Sequence, residues 1–300
     1  MSAPLRLPLE LVPCLLLGVL LQWRWPNLSS RLTPPLIRYG VPLSVLGLLL
    51  RSGLERSMLW AGLLALVGIG GGLALLRWLP GLRQLLPPPA LRLGAVVGNT
   101  AYFGLPVAMA LLPPAAMGTA VAYDLAATLL VWGLGPALLT GERLRCRPLA
   151  RALAHSPASR ALGLALLVGL TPWSHQLGEL LWMPARLVLL LALTIVGIHL
   201  GQLLRQPQSS RTSPWHLLPA LTIKLLLFPA AILALSLLTP LPALARQAVV
   251  LQAAAPTAVA VLLLSEAKGA GDESARSAAL VLWSTAIALV SVPLWRLVLG

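Results

Sequence analysis

The chain alternates long apolar runs with short polar or basic stretches along its whole length. A helix that spans a bilayer needs about 20 mainly apolar residues, and the runs here approach or exceed that length. The pattern therefore predicts an all-α polytopic membrane protein with ten transmembrane helices. The predicted crossings are residues 7–23, 34–50, 58–79, 91–112, 114–140, 161–172, 183–204, 215–238, 241–265 and 273–298. The sixth is short and is expected to begin near Ser156.

Two of these crossings contain residues that do not suit a continuous helix. The fourth carries Gly98–Pro106, with two glycines, an Asn-Thr pair and a proline, and the ninth carries Gln252–Thr257 with Pro256. Proline removes an N–H group and glycine lowers the cost of non-helical backbone. A proline kink with a packing glycine would explain the fourth segment alone. Paired interruptions at corresponding places in two halves instead indicate the binding site of a secondary transporter.

Composition and charge agree with a membrane protein. The chain is 58% hydrophobic and 10% charged, and its formal net charge of +14 comes from 22 Lys and Arg against 8 Asp and Glu. In a soluble protein that excess would suggest nucleic acid. Here the basic residues lie between apolar segments, so the lipid bilayer is the expected partner and nucleic acid is not. The two cysteines have no metal-ligand spacing, and no metal or cofactor is expected.

The distribution of Lys and Arg predicts the orientation. Of the 22 basic residues, 15 fall on one side of the predicted crossings and six on the other. The positive-inside rule places the basic loop, residues 141–160, in the cytoplasm of a multi-pass plasma (inner) membrane protein, with both termini outside. This loop separates residues 1–140 from residues 161–300. Each part holds five predicted crossings, and an odd number makes the second repeat inverted relative to the first.

The same segments resemble the auxin efflux carrier family. Residues 98–106 read Gly-Asn-Thr-Ala-Tyr-Phe-Gly-Leu-Pro, close to the Gly-Asn-Thr-Gly-Phe-x-Gly-Leu-Pro signature of that family, and Ala253–Ala258 resembles its ninth helix. The resemblance implies crossing, broken helices 4 and 9. It also implies a scaffold of helices 1, 2, 6 and 7, a moving domain of helices 3–5 and 8–10, and a homodimer. Bacterial permeases of this type move small organic anions. Ala101 and Ala260 depart from the family pattern, so the exact anion does not carry over.

An anion site also follows from the residues. The second half of each broken helix begins near the bilayer midplane, where its unpaired N–H groups offer about half a positive charge. Two such starts can hold a carboxylate. The predicted substrate-binding residues all lie in the two interruptions and their flanks; they are Asn99, Thr100, Tyr102, Gly104, Pro106, Gln252, Pro256 and Thr257. The polar members can also serve only to satisfy freed backbone groups.

Asp124 and Lys224 are the acidic and basic side chains that lie deep inside predicted crossings. Each is costly there without a partner, and counting residues from the helix ends gives both a similar depth. We therefore expect an intramembrane ion pair. The alternative makes Lys224 the countercharge of the substrate and Asp124 a proton or sodium site.

Several other functions compete with an organic anion permease. An ion-coupled carrier of the bile acid:sodium symporter or sodium/proton antiporter type would use the same broken helices. A channel would need a polar pore, which these apolar helices do not suggest. An intramembrane hydrolase would need an activated serine, and no Gly-x-Ser-x-Gly pattern occurs. The sequence therefore favours a carrier and does not predict an enzyme.

Overall fold

A computed structural model describes residues 3–140, 156–205, 214–269 and 271–300 of the chain. Every regular element in these residues is helical. The helices are α1 (Ala3–Arg24), α2 (Leu28–Ser52), α3 (Ser57–Trp78), α4 (Pro80–Leu85), α5 (Pro89–Gly94), α6 (Thr100–Leu111), α7 (Met117–Thr140), α8 (Pro157–Gly169), α9 (Ser174–Arg205), α10 (Pro214–Leu237), α11 (Ala243–Ala253), α12 (Val259–Ala267) and α13 (Gly271–Val298). The predicted basic loop lies outside the described residues as far as residue 155.

Length and hydropathy make six of the described helical segments able to cross a membrane. They are Leu28–Ser52, Ser57–Trp78, Pro114–Leu139, Ser174–Arg205, Pro214–Leu237 and Gly271–Val298. The other predicted crossings are shorter or interrupted. For example, α8 has 13 residues, roughly 20 Å at the usual rise, against a ~30 Å hydrocarbon core. The protein is thus an all-helical, multi-pass membrane protein, and the ten-helix inverted repeat stays a prediction.

The first packed group consists of α1, α2, α8 and α9. Helix α9 packs along both α1 and α2, and α8 packs on α2. Glycine makes the closest approach possible: a Cβ on Gly18 of α1 would lie 2.1 Å from the Thr194 carbonyl oxygen of α9. A Cβ on Gly197 would lie 2.2 Å from the Leu15 carbonyl oxygen. The backbones of two continuous helices therefore touch directly.

The remaining helices pack around the two interrupted segments. Helix α3 lies against α7, α10 against α11, and α12 against α13. Three helices contain a π-helical turn, at Leu36–Gly40 in α2, Thr100–Gly104 in α6 and Ile223–Leu227 in α10. Such turns often mark functional sites. The π turn of α6 directly follows the first interruption. The π turn of α10 carries Lys224, which bonds to Ala253 beside the second interruption.

Candidate functional site

The two helix interruptions meet and hydrogen-bond to each other. Gly98, between α5 and α6, pairs in antiparallel fashion with Thr257, between α11 and α12. The Asn99 N–H donates to the Pro256 carbonyl oxygen at 2.7 Å, and the Ala258 N–H donates to the Val97 carbonyl oxygen at 3.2 Å. Each unwound segment thereby satisfies backbone groups that the other leaves free, which makes non-helical backbone tolerable inside a membrane protein. We call this junction the crossover.

Glycine serves close approach at the crossover. A Cβ on Gly98 would lie 3.2 Å from the Lys224 Nζ and 3.4 Å from the Ala255 carbonyl oxygen. A Cβ on Gly104 would lie 2.1 Å from the Gln252 Oε1. Neither glycine has a positive φ. A side chain at Gly104 would therefore require the Gln252 amide to move, whereas one at Gly98 would need only a small shift of the Lys224 ammonium.

The C-terminal ends of both first half-helices are capped by side chains from elsewhere in the chain. The Thr257 hydroxyl donates to the Gly94 carbonyl oxygen at the end of α5, at 2.9 Å. The Lys224 ammonium donates to the Ala253 carbonyl oxygen at the end of α11, at 2.7 Å. These donors satisfy carbonyl groups at the negative ends of the two helix dipoles. Ser284 of α13 supports the first cap, because its hydroxyl oxygen accepts from the Thr257 N–H at 3.0 Å.

The N-terminal ends of both second half-helices are not capped by side chains. Asn99 precedes α6 and Ala258 precedes α12, and neither side chain makes a capping hydrogen bond. The first N–H groups of a helix have no acceptor within that helix, and together they carry about half a positive charge. Both starts, Thr100 and Val259, lie two residues beyond the paired Gly98 and Thr257. The start of α12 therefore presents a positive helix end, the start of α6 lies beside the Asp124 carboxylate, and one carbonyl at each negative end is capped.

The two buried charges lie at different helix ends. The Thr100 hydroxyl, at the start of α6, donates to the Asp124 Oδ1 at 2.5 Å, and Asp124 is 5% exposed. Lys224 is fully buried, bonds to the end of α11, and places its ammonium 5.0 Å from the centre of the Phe228 ring. Among the described contacts each charge thus has its own partner, and the expected Asp124–Lys224 ion pair is not formed. Equal depth in the membrane fixes only one coordinate of a side chain. Packing brings Asp124 to the start of α6 and Lys224 to the end of α11.

Gln252 is one of several buried side chains, the Tyr123 side chain among them, with polar atoms that have no hydrogen-bond partner among the described residues. The Gln252 side chain is fully buried in the last turn of α11, against Gly104 of α6. Neither the Nε2 nor the Oε1 atom has a hydrogen-bond partner. An unpaired buried amide costs about 1–3 kcal/mol. This amide therefore offers a donor and an acceptor to whatever enters between α6 and α11.

The remaining predicted site residues lie either at the crossover itself or within α6. Asn99 and Pro256 bond to each other through their backbones, and Tyr102 lies partly buried in the π turn of α6. Pro106 is the second residue of the α-helical part Leu105–Leu111, beyond the π turn. Pro106 thus lies inside the continuous part of α6, and its contact with a substrate stays a prediction. Proline near the start of an α-helical segment removes an N–H that has little use there.

Sequence reasoning missed Gly94 and Ser284, which complete the caps. A serine inside the apolar α13 gives no local sign that it receives an N–H from a residue 27 positions away. Both ring nitrogens of His199 have partners: Nδ1 lies 2.9 Å from the Ile195 carbonyl oxygen and Nε2 lies 3.3 Å from the Ser29 hydroxyl. Within the described residues, no three His, Cys, Asp or Glu side chains form a group that could hold a metal ion.

Comparison with known proteins places the chain among membrane transport proteins. Residues 90–296 match a family model described as "Membrane transport protein". The match begins in α5 and ends in α13, and it includes both interruptions. No curated protein matches the chain.

Proposed function

Because the chain belongs to the membrane transport protein family, which includes permeases of the auxin efflux carrier type, we propose that it is a secondary carrier for a small organic anion. The family is one of transporters and not of enzymes. The observation that carries the proposal is the crossover, where two helix starts without side-chain caps lie two residues from the Gly98–Thr257 pairing. A carboxylate is the simplest substrate that such starts stabilise.

The substrate contacts follow from which groups are free. The N–H groups at the starts of α6 and α12 provide positive potential, and the Gln252 amide provides a further N–H donor beside Gly104. Asn99 adds an amide at the start of α6, and Tyr102 adds an apolar wall. Thr257 and Pro256 position the second helix start through their bonds to the first interruption. This arrangement binds a carboxylate without an arginine in the membrane.

Transport then proceeds by alternating access across the plasma membrane. In this proposal, ten crossings form two inverted repeats, residues 1–140 and 161–300, joined by the cytoplasmic loop, with both termini outside. Helices α1, α2, α8 and α9 make up the scaffold, and their mutual packing supports that division. The helices that carry the crossover move against this scaffold. The bias of 15 basic residues to six supports the orientation.

Coupling to a cation is the second candidate, and the Asp124 carboxylate at the start of α6 is the observation that favours it. In carriers with broken helices, carbonyl groups at half-helix C-terminal ends coordinate the coupling ion. Here the Gly94 and Ala253 carbonyls already accept from Thr257 and Lys224. This occupancy favours a proton over a sodium ion, should coupling exist.

Counterflow in proteoliposomes tests the proposal. Purified protein reconstituted with an unlabelled mono- or dicarboxylate inside should accumulate the labelled compound from outside, and the initial rate should saturate with concentration. Replacing external sodium by potassium should leave the rate unchanged. Flux that never saturates would indicate a channel, and absence of carboxylate counterflow across a panel of such anions would reject the proposed substrate class.

A further inference from the structure

A second candidate site lies away from the crossover, where α1 ends and α2 begins. A cleft of about 560 Å³ opens there, a size typical of ligand-binding cavities. Its lining includes Arg24, Trp25, Asn27 and Arg31. We call it the α1–α2 cleft. None of its lining residues belongs to the interruptions or to their caps.

The α1–α2 cleft carries positive charge without a matching carboxylate in its lining. Arg24 and Arg31 both line it, and the lining contains no Asp or Glu. A third guanidinium lies close by, because the Arg205 Nη2 at the end of α9 donates to the Trp23 carbonyl oxygen at 3.1 Å. The Arg24 guanidinium stacks 5.6 Å from the centre of the Trp25 ring, which orients it. Two guanidinium groups that line one cleft can bind a phosphate through charge-assisted hydrogen bonds.

The surface of α1 beside the cleft is apolar and exposed. Leu16, Leu17 and Leu20 are each at least half exposed on α1, with relative accessibilities of 57%, 50% and 57%. Leu20 lies four residues before Arg24, roughly 6 Å along the helix axis. Trp23 and Trp25 are also half exposed, as expected for side chains at a membrane interface. Along α1, apolar leucines are followed by tryptophan and then by arginine. A phospholipid has the same order of apolar acyl chains, interface and charged headgroup.

We infer that the α1–α2 cleft binds the phosphate headgroup of an anionic phospholipid, with its acyl chains along the leucines of α1. Charge complementarity selects the anionic headgroup, and the exposed leucines select a lipid over free phosphate. The positive-inside rule places this cleft on the cytoplasmic face, where anionic lipids attract basic residues. Because α1 and α2 both pack on α9, a bound lipid would hold the end of the first helix group at the membrane surface.

Native mass spectrometry of the full-length protein tests this inference with three probes: dioleoyl phosphatidylglycerol, dioleoyl phosphatidylcholine and inorganic phosphate. Phosphatidylglycerol should bind in preference to phosphatidylcholine. An Arg24→Gln/Arg31→Gln variant should bind phosphatidylglycerol roughly thirtyfold more weakly. Each arginine near an anionic membrane surface contributes about 1 kcal/mol, and the loss of two corresponds to about that factor in affinity. The matched control is Arg77→Gln/Arg83→Gln, which removes two exposed arginines at α3 and α4. It should keep the wild-type preference.

Three results would overturn the inference. Equal binding of the two lipids by the wild-type protein would do so without any variant. An equal loss in the Arg77/Arg83 control would show that only total charge matters. Displacement of phosphatidylglycerol by inorganic phosphate at comparable concentration would make this a free-phosphate site. Carboxylate counterflow is a separate readout, so failure here leaves the proposed transport function standing.

Discussion

Two of the close backbone contacts between helices in the described part of the chain are built differently. At the crossing of α1 and α9, Gly18 and Gly197 let two continuous helices touch. At the crossover, both helices are unwound and their backbones pair through hydrogen bonds at Gly98 and Thr257. The first contact leaves no helix end inside the protein. The second creates four helix ends; side chains cap the two negative ends, and the Asp124 carboxylate lies at one of the two positive ends.

The two contacts are therefore expected to respond differently to substitution. Continuous helices with glycine contacts need only shape, so any added side chain disrupts them. The crossover instead depends on Lys224 and Thr257, whose side chains donate hydrogen bonds to the carbonyl groups at the ends of α11 and α5. We therefore expect substitutions at the contact of Gly18 and Gly197 to prevent folding. Substitutions at the crossover should reduce transport more than they reduce stability.

The largest effect is expected for Gly18→Leu. A Cβ at this position would lie 2.1 Å from a backbone oxygen of α9, so α1 and α9 would have to separate. Overpacking of a core ordinarily costs about 1–3 kcal/mol, and a clash with backbone lies at or above that range. Size-exclusion chromatography in detergent should show little monodisperse protein. Gly70→Leu is the matched control, because a Cβ on Gly70 has no neighbour within 4 Å; a normal yield for both variants would refute the steric account.

The next effect is expected at Lys224 and Asp124. Lys224→Met should destabilise the protein by about 1–3 kcal/mol, because the Ala253 carbonyl loses its donor. Asp124→Ala should destabilise it independently, because the Thr100 hydroxyl loses its acceptor. Thermal or denaturant unfolding of both single variants and the double variant gives the coupling free energy. Separate partners predict a coupling below about 0.5 kcal/mol. Recovery of stability in the double variant would instead establish a direct ion pair.

A smaller effect is expected for Thr257→Val, which keeps the side-chain shape and removes the hydroxyl. The Gly94 carbonyl then loses its cap at 2.9 Å, at a cost of about 1 kcal/mol, and the start of α12 is less well fixed. Counterflow should fall more than unfolding temperature. The control is Thr285→Val, since the Thr285 hydroxyl bonds only within its own helix, to the Val281 carbonyl oxygen. Equal losses of transport in the two variants would show that the cap has no special role.

Local sequence patterns predicted the interruptions but not their caps. Glycine, proline and amide residues inside apolar runs signal broken helices, and both breaks are present in the structure. The family resemblance drawn from the same segments is confirmed by the match to residues 90–296. The Thr257–Gly94 bond joins residues 163 positions apart, and nothing local encodes it. The ion pair of Asp124 and Lys224 failed for the same reason, because depth along a helix does not determine which neighbour a side chain meets.

The central claim is that a carboxylate binds at the crossover, and Gln252 tests it most directly. Gln252→Leu removes a buried amide that has no partner, so the free energy of unfolding should stay the same or rise. Saturable binding of a transported carboxylate to the purified protein should weaken by about 1–3 kcal/mol if the amide donates to the substrate. The account predicts a stable protein that binds its substrate poorly. Undiminished carboxylate binding in a stable Gln252→Leu variant would contradict it.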